Sequence, residues 1–456
     1  MAARVLGRRA AGLTALLGVG VLVLAATPTS VSGALVEATV AAALPLVDVA
    51  AAPTASAVVG DPLADVAADG TLLLAALARR EAPHGAPGDG AVVAAAPRLP
   101  TAEPAVVANP RTSWGPSLET LAAARAAVAE MTLEQRAGQV LVARYWESAP
   151  AAAGALVTRW HLGGVILMDE NIESREQVAA TAAAVQAAVS AGGRAWPGIV
   201  AVDQEGGRVA RLGELVTPLP AFAAFAGLAP DLTRGTFGGL GGELRALGIT
   251  MDLAPVADLT IGAQDPTIGD RSASGDPEVA TVAVLAAARG LVDAGVVPVL
   301  KHFPGHGSVT VDSHVALPVQ PAPLAALEAR DLIPFRSGVA AGAPVVMMGH
   351  LDMSHLDPGV PASLSPAAYR LLREGLGFEG VALTDSLAMA AVPRTGPGQE
   401  AVAALAAGAD LVLMPWDTGS AHSAIVAAVA TGGLSTERLT EAAERVVALQ
   451  MWSADL

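Results

Sequence analysis

The sequence predicts an α/β fold, a (β/α)8 TIM-type barrel, and three observations carry that expectation. Short apolar runs alternate with helical stretches over roughly 330 residues, the pattern of βαβ units around a parallel sheet. About eight such runs occur, which suits a closed barrel better than an open doubly wound sheet. Several of them stop abruptly at titratable residues, as happens where barrel strands deliver side chains to one rim.

The chain has 456 residues, 53% of them hydrophobic but only 3% aromatic. It can bury a large core built mainly from Ala, Val and Leu. A formal net charge of -16 disfavours nucleic acid or an anionic membrane as the main partner. Cysteine is absent, which excludes disulfides, thiolate metal sites and a lipid-modified Cys.

Residues 1–34 read as a secretory signal. Arg4, Arg8 and Arg9 precede an apolar run from Ala10 to Ala26, and Ser32-Gly33-Ala34 offers a small-residue cleavage site. An uncleaved N-terminal anchor is the alternative, although the run is short for a bilayer span. A secreted or cell-surface location follows, with no membrane span after signal cleavage. Residues 35–115 are rich in Ala, Pro, Gly and Val without a sustained period and read as a disordered spacer. Residues 116–456 form the expected catalytic domain.

That domain opens with an Ala-rich helix from Leu118 to Glu130. Thr132 and Gln135 form a capping box that starts a second helix. The expected strands are Val140 to Val142, Gly164 to Leu167, Gly198 to Val202, Thr250 to Leu253, Val296 to Leu300, Val345 to Met348, Val381 to Leu383 and Leu411 to Met414. Expected helices include Arg175 to Ala191, Glu278 to Ala294, Pro323 to Ala341, Gln399 to Ala407 and a closing helix from Leu434 to Met451.

The strand ends carry the chemistry. After Val202 comes Asp203-Gln204-Glu205-Gly206-Gly207-Arg208, where Asp203 can accept hydrogen bonds from a ligand's hydroxyls and Arg211 can donate a two-pronged fork. A salt bridge between Asp203 or Glu205 and an Arg is the structural alternative. In Gly269-Asp270-Arg271-Ser272, Arg271 is a candidate polar clamp with Asp270 pairing to hold it, a pairing that in isolation is more often structural. Leu300 leads to Lys301, the only Lys of the chain, and His302. On an extended strand their side chains oppose each other, so both meet one ligand only where the strand bends, and Pro304-Gly305 favours a bend. A metal reading of His302, His306 and His314 is weaker, since Pro304 and Gly305 break the helix that a His-x3-His pair requires.

Asp312-Ser313-His314 is the sharpest feature. A carboxylate two residues before an imidazole can accept from Nδ1–H, which leaves Nε2 to give and take a proton. Gly307, Ser308 and Thr310 suggest a loop able to close on substrate. Asp385, in Thr384-Asp385-Ser386, is a carboxylate that can act as nucleophile at carbon. His350 and His355 read as supporting or structural.

Taken together, Met131 to Gln135, Asp203 to Val209, Gly269 to Ser272, Lys301-His302-Phe303-Pro304-Gly305-His306-Gly307, Asp312-Ser313-His314 and Thr384 to Leu387 resemble glycoside hydrolase family 3, and within it the single-domain bacterial β-N-acetylglucosaminidases of the His–Asp dyad type. The resemblance covers Met131 to about Leu449. It implies a barrel with no metal and no cofactor, acting on a carbohydrate and, as a further expectation, monomeric. It assigns Asp385 as nucleophile, His314 as general acid/base and Asp312 as its partner. It places Asp203, Arg211, Arg271, Lys301 and His302 around a terminal N-acetylglucosamine. Ser386 and Ala273 depart from the usual pattern, the second in the sugar pocket. Many members carry a second domain that supplies a carboxylate acid/base; the chain ends at Leu456 without room for one, in keeping with an acid/base inside the barrel.

The expected function is a retaining exo-β-N-acetylglucosaminidase acting on peptidoglycan fragments or chitooligosaccharides. An N-acetylglucosaminide phosphorylase, a β-glucosidase and a non-catalytic cell-wall sugar-binding protein are the alternatives.

Overall fold

The computed structural model describes residues 111–456. The expected signal segment and most of the expected spacer lie outside the described residues. The described residues open with Arg111. Arg111 bridges to Ser117, and Trp114 is buried in the core.

Eight parallel strands form the barrel: β1 (Leu141–Ala143), β2 (Gly164–Leu167), β3 (Ile199–Val202), β4 (Met251–Asp252), β5 (Val297–Phe303), β6 (Val345–Met348), β7 (Val381–Thr384) and β8 (Val412–Leu413). Neighbours pair in chain order from β1 to β7, and β1 also pairs with β8. The β7–β8 seam closes through a parallel bridge at Leu383 and Leu411, with Thr384 N–H donating to Leu411 O at 3.0 Å. Every residue of these strands is buried, as expected for parallel strands covered on both faces.

β5 differs from expectation in a way that matters. It does not stop at Leu300 but continues through Lys301 and His302 to Phe303, all buried. The two titratable residues are therefore part of the barrel wall. The Lys301–His302 peptide bond is cis, and both side chains line the same cavity.

The helices follow from local signals. Thr132 Oγ1 accepts from Gln135 N, and Gln135 Oε1 accepts from Thr132 N at 2.9 Å, completing the capping box. Asp276 caps Pro277–Asp293 by accepting from Glu278 and Val279 N–H, with Pro277 in the first turn, where its missing N–H costs nothing. The stretch from Pro323 to Ala341 is two helices, not the expected one: Leu324–Glu328 and Ile333–Ala340. Pro334 cannot sit inside a continuous helix, so it opens the second. The break turns Arg330 and Asp331 inward. Asp331 accepts from Ser308, and Arg330 donates to Ser308 Oγ at 2.6 Å and to Thr260 O at 3.0 Å. The break thus buttresses the loop that follows β5.

A buried ionic cluster fastens the seam from outside. Asp410, fully buried just before β8, accepts from Arg373, from Arg438 at 2.6 Å and from Arg445 at 3.1 Å. It also accepts the N–H of Ala382 on β7 at 3.0 Å. Arg438 and Arg445 belong to the closing helix Thr436–Ala454, which packs against Leu118–Ala129. Burying one carboxylate among three guanidiniums satisfies charges that would be costly alone.

Candidate active site

The C-terminal ends of the strands surround a cavity of about 520 Å³. Asp203, Arg211, Arg271, Lys301, His302, His314 and Asp385 all line it, so seven of the eight expected site residues converge there. Asp312 does not line it but holds His314.

The floor is a network of charges. Lys301 Nζ lies 2.6 Å from Asp203 Oδ1 and 2.6 Å from Glu205 Oε1, with its side chain only 2% exposed. Glu205 also grips Arg271, with Nε and Nη2 each donating at 2.8 Å. Burial alone would raise the Glu205 pKa, but Lys301 and Arg271 overcome it and bring it down to about 2. Arg271 is thus held by Glu205 rather than by its neighbour Asp270, which pairs instead with Arg208 at 3.3 Å. Adjacent residues on the tight turn Gly269–Arg271 send their side chains in different directions, so proximity in sequence did not produce a pair.

Arg211 reaches the rim through a short antiparallel hairpin, Gln204–Gly206 with Val209–Ala210. Its Nη1 donates to Asp169 Oδ2 at 3.0 Å, while its buried Nε has no partner. Asp252 on β4 is fully buried. Oδ1 accepts from Gln204 N–H at 3.0 Å and Oδ2 has no partner. Burial, with Asp203 and Glu205 nearby, pushes the Asp252 pKa up to about 7.

His302 is fixed by Asp258. Asp258 Oδ2 lies 2.6 Å from His302 Nδ1 and 3.0 Å from its backbone nitrogen, while Oδ1 accepts from His306 N–H at 2.6 Å. Burial opposes ionisation of Asp258, but His302, His306 and these hydrogen bonds hold its pKa below the ordinary value. With Asp258 ionised, Nδ1 carries the proton and Nε2 is left for a ligand.

Asp385 follows the last residue of β7. Its N–H donates to Met348 O at 2.9 Å, and its Oδ1 accepts from Ser386 N–H at 2.7 Å. Burial would raise its pKa; His350, His302, Ser386 N–H and Lys301 lower it below the ordinary value. Burial also lowers the pKa of His350, whose Nε2–H donates to Ser386 O at 2.8 Å while Nδ1 accepts from Ser363 at 2.7 Å. A neutral His350 supplies no charge near pH 7, which leaves His302, the Ser386 N–H and Lys301 as the support of the Asp385 carboxylate. His350 is a support for the site, as expected from its position after β6.

His314 sits on the loop after β5, with its side chain 63% exposed. Its Nδ1 lies 2.7 Å from Asp312 Oδ1, and its backbone N–H donates to the same oxygen at 2.9 Å. The Asp312 pKa is lowered because these two hydrogen bonds outweigh partial burial. Ser313 points the other way, 2.8 Å from His306 Nε2, and Ser313 O accepts from Ala391 N–H beyond β7. Gly307 lets the loop root there: a Cβ on it would lie 1.8 Å from Leu259 O. Among the described residues no group of three His, Cys, Asp or Glu side chains is arranged to hold a metal ion.

The site therefore presents an ionised carboxylate, an imidazole with one nitrogen committed to a carboxylate, and a polar floor able to bind several hydroxyls. Asp258, Glu205 and Arg144 escaped the sequence reading as site residues. Glu205 was visible only as one side of a possible salt bridge. Arg144, directly after β1, lines the cavity and was not singled out, although a cation at a strand end was the available signal.

The sequence profile of the Glycosyl hydrolase family 3 N terminal domain matches residues 132–449. The chain belongs to glycoside hydrolase family 3. Membership of the family makes it a glycoside hydrolase. It is 41% identical over 277 residues to beta-hexosaminidase LpqI of Mycobacterium tuberculosis, covering 58% of this chain and 68% of that protein. It is 39% identical over 267 residues to a beta-hexosaminidase of Xanthomonas oryzae pv. oryzae, covering 56% and 76%. Its fold matches a family 3 beta-N-acetylglucosaminidase structure from Paenibacillus sp. str. FPU-7 with a TM-score of 0.68 and 37% identity, over 71% of this chain. It spans 63% of that protein's length. The structure of M. tuberculosis LpqI matches with a TM-score of 0.65 and 36% identity, over 72% of this chain and 96% of that one. The glycoside hydrolase expectation and the barrel are thereby met.

Proposed function

We propose that this family 3 enzyme is a retaining exo-β-N-acetylglucosaminidase. The observation that carries the proposal is that Asp385 and the Asp312-held imidazole of His314 open into one cavity floored by Asp203, Lys301 and the Glu205–Arg271 pair. The names of the relatives support it. A cavity of about 520 Å³ lies within the range of single-ligand sites, ~300–1,000 Å³.

In this reading the terminal sugar's hydroxyls bind Asp203, Arg211, Arg271, Lys301 and His302. Asp385 attacks the anomeric carbon as the bond to the leaving oxygen breaks, and that oxygen takes the proton from His314 Nε2. A glycosyl ester on Asp385 results. Nε2 then removes a proton from water, whose oxygen displaces Asp385, and two inversions give net retention. Asp312 stabilises the imidazolium and fixes its tautomer. Peptidoglycan or chitin fragments are the proposed substrates, and the N-terminal 34 residues support action outside the cytoplasmic membrane. Among the described residues no helix is long and apolar enough to cross a membrane.

A second reading rests on the same histidine. After donating its proton His314 is neutral and does not repel an anion, so phosphate can replace water as acceptor. The test is nitrophenol release from para-nitrophenyl N-acetyl-β-glucosaminide, with and without phosphate, and NMR of the first-formed product. Release of the β-anomer in buffer alone, abolished in Asp385→Ala, supports the retaining hydrolase. Accumulation of sugar 1-phosphate supports phosphorolysis. Full activity in Asp385→Ala overturns the nucleophile assignment.

A further inference from the structure

The loop that carries His314 is open to water along most of its length and fastened at a single point. In residues 310–317 only Ser313 is buried, at 2% exposure, while His314 beside it is exposed. Among the described residues, both hydrogen bonds that tie 310–317 to the rest of the barrel are made by Ser313. Its hydroxyl lies 2.8 Å from His306 Nε2, and its carbonyl accepts from Ala391 N–H at 3.3 Å. The other bonds of the stretch are local: Val315 N–H and Ala316 N–H donate to Asp312 O at 2.9 and 3.1 Å, and His314 pairs with Asp312.

His306, on the other side of that contact, is itself buried, and its Nδ1 has no partner. A buried polar atom without a partner is destabilising, so packing alone would favour a phenyl ring here. What the imidazole adds is the contact of Nε2 with Ser313. Burial and the neighbouring His302 lower the His306 pKa, so the ring is neutral near pH 7 and the contact is an uncharged hydrogen bond. The His306 backbone is held as well: its N–H donates to Asp258 Oδ1 at 2.6 Å, and Asp258 Oδ2 lies 2.6 Å from His302 Nδ1. One carboxylate therefore holds both the imidazole that faces the cavity and the residue on which the His314 loop rests.

We propose that Ser313 and His306 are positioning residues: their buried contact sets where His314 Nε2 stands over a glycoside seated at Asp385, and Asp258 ties that placement to His302. The inference rests on reading His314 as the acid/base. Neither Ser313 nor His306 lines the cavity, so both act through His314. The need for them follows from the dyad itself. Asp312 rides on the same loop as His314, so their pairing fixes the ring's tautomer but not its distance from the barrel. That distance is set where the loop meets the fixed structure, which is at Ser313. Proton transfer requires hydrogen-bond reach, and a misplacement of about 1 Å can lower a rate ~10²-fold.

Two variants test the pair. Ser313→Ala removes the hydroxyl and keeps the carbonyl that meets Ala391; His306→Phe keeps the ring's volume and removes Nε2. Each is assayed beside wild type and His314→Ala on N,N′-diacetylchitobiose, whose leaving sugar needs a proton, and on dinitrophenyl N-acetyl-β-glucosaminide, whose leaving group needs none. Because kcat/KM reports formation of the glycosyl-enzyme, both variants are expected to lose ~10–10²-fold on chitobiose and less than about twofold on the dinitrophenyl glycoside. On the latter, kcat and KM are expected to fall together, since the base that activates water is misplaced in the second step. Equal losses on both substrates overturn the positioning role in favour of a general structural one. Wild-type kcat/KM on chitobiose in either variant overturns the pair, and Ser313→Ala alone decides if a thermal melt shows that His306→Phe does not fold. An equal loss on both substrates in His314→Ala, or a wild type that cleaves neither, overturns the underlying acid/base reading instead.

Discussion

A single carboxylate oxygen, Asp312 Oδ1, receives both the Nδ1 side of the His314 ring and the His314 backbone N–H, at 2.7 and 2.9 Å. Ring orientation and local backbone are set by one atom. Asp312→Asn keeps an acceptor for the backbone N–H but cannot stabilise an imidazolium. Its kcat on the nitrophenyl glycoside should fall by ~10²–10⁴, the usual worth of acid–base catalysis, with an unchanged melting temperature. Steady-state kinetics beside a thermal melt checks this, and an unaltered kcat would remove His314 from proton transfer.

Glu205 holds both Arg271 and Lys301 in the buried floor. Glu205→Gln leaves Lys301 with Asp203 alone and Arg271 without its ionic fork, so a loss of about 3–5 kcal/mol is expected. With a folded pKa of about 2 against an ordinary 4.5, the wild-type contribution is present above pH 4.5 and lost as pH falls toward 2. Denaturant titrations at pH 7 and pH 3 should therefore show a wild type–variant gap that narrows in acid.

Asp252 carries the opposite sign. Its pKa rises from 3.8 to about 7, so the folded state binds this proton more tightly than the unfolded chain does. The resulting stability is full below pH 3.8 and disappears as pH rises through 7. Asp252→Asn retains an acceptor for Gln204 N–H and never ionises. It should match wild type near pH 4 and exceed it by a few kcal/mol, about 1.4 per pKa unit, above pH 7. Urea midpoints across that range test the claim, and a gap independent of pH would refute it.

Asp410 lies outside the catalytic cavity, so its removal should separate stability from chemistry. Asp410→Ala leaves Arg373, Arg438 and Arg445 crowded without a counter-charge and should destabilise by about 3–5 kcal/mol. The folded fraction at low temperature should keep its KM. A changed KM would mean that the seam shapes the site.

The barrel was legible in the sequence because fully buried parallel strands read as uninterrupted apolar runs. Gly164–Leu167 and Val345–Met348 match expectation residue for residue. The same rule misplaced the end of β5, where a buried Lys mimics the start of a loop. Helix Pro230–Ala246 was not among those expected, since its five glycines dilute the apolar period. The cavity residues were legible because polar groups interrupt apolar runs at one rim. Their partners were not: Arg271 finds Glu205 across 66 residues of chain, and no local rule reaches that far.

His314 and Asp312 ride on one contiguous loop, while Asp385 is welded to the barrel wall. The two halves of the proposed reaction are thus built on different architectural footings. The segment between Gly307 and Gln320 is where a change alters how the leaving group is activated, and the contacts of Ser308 with Arg330 and Asp331 and of Ser313 with His306 and Ala391 are what any replacement has to keep.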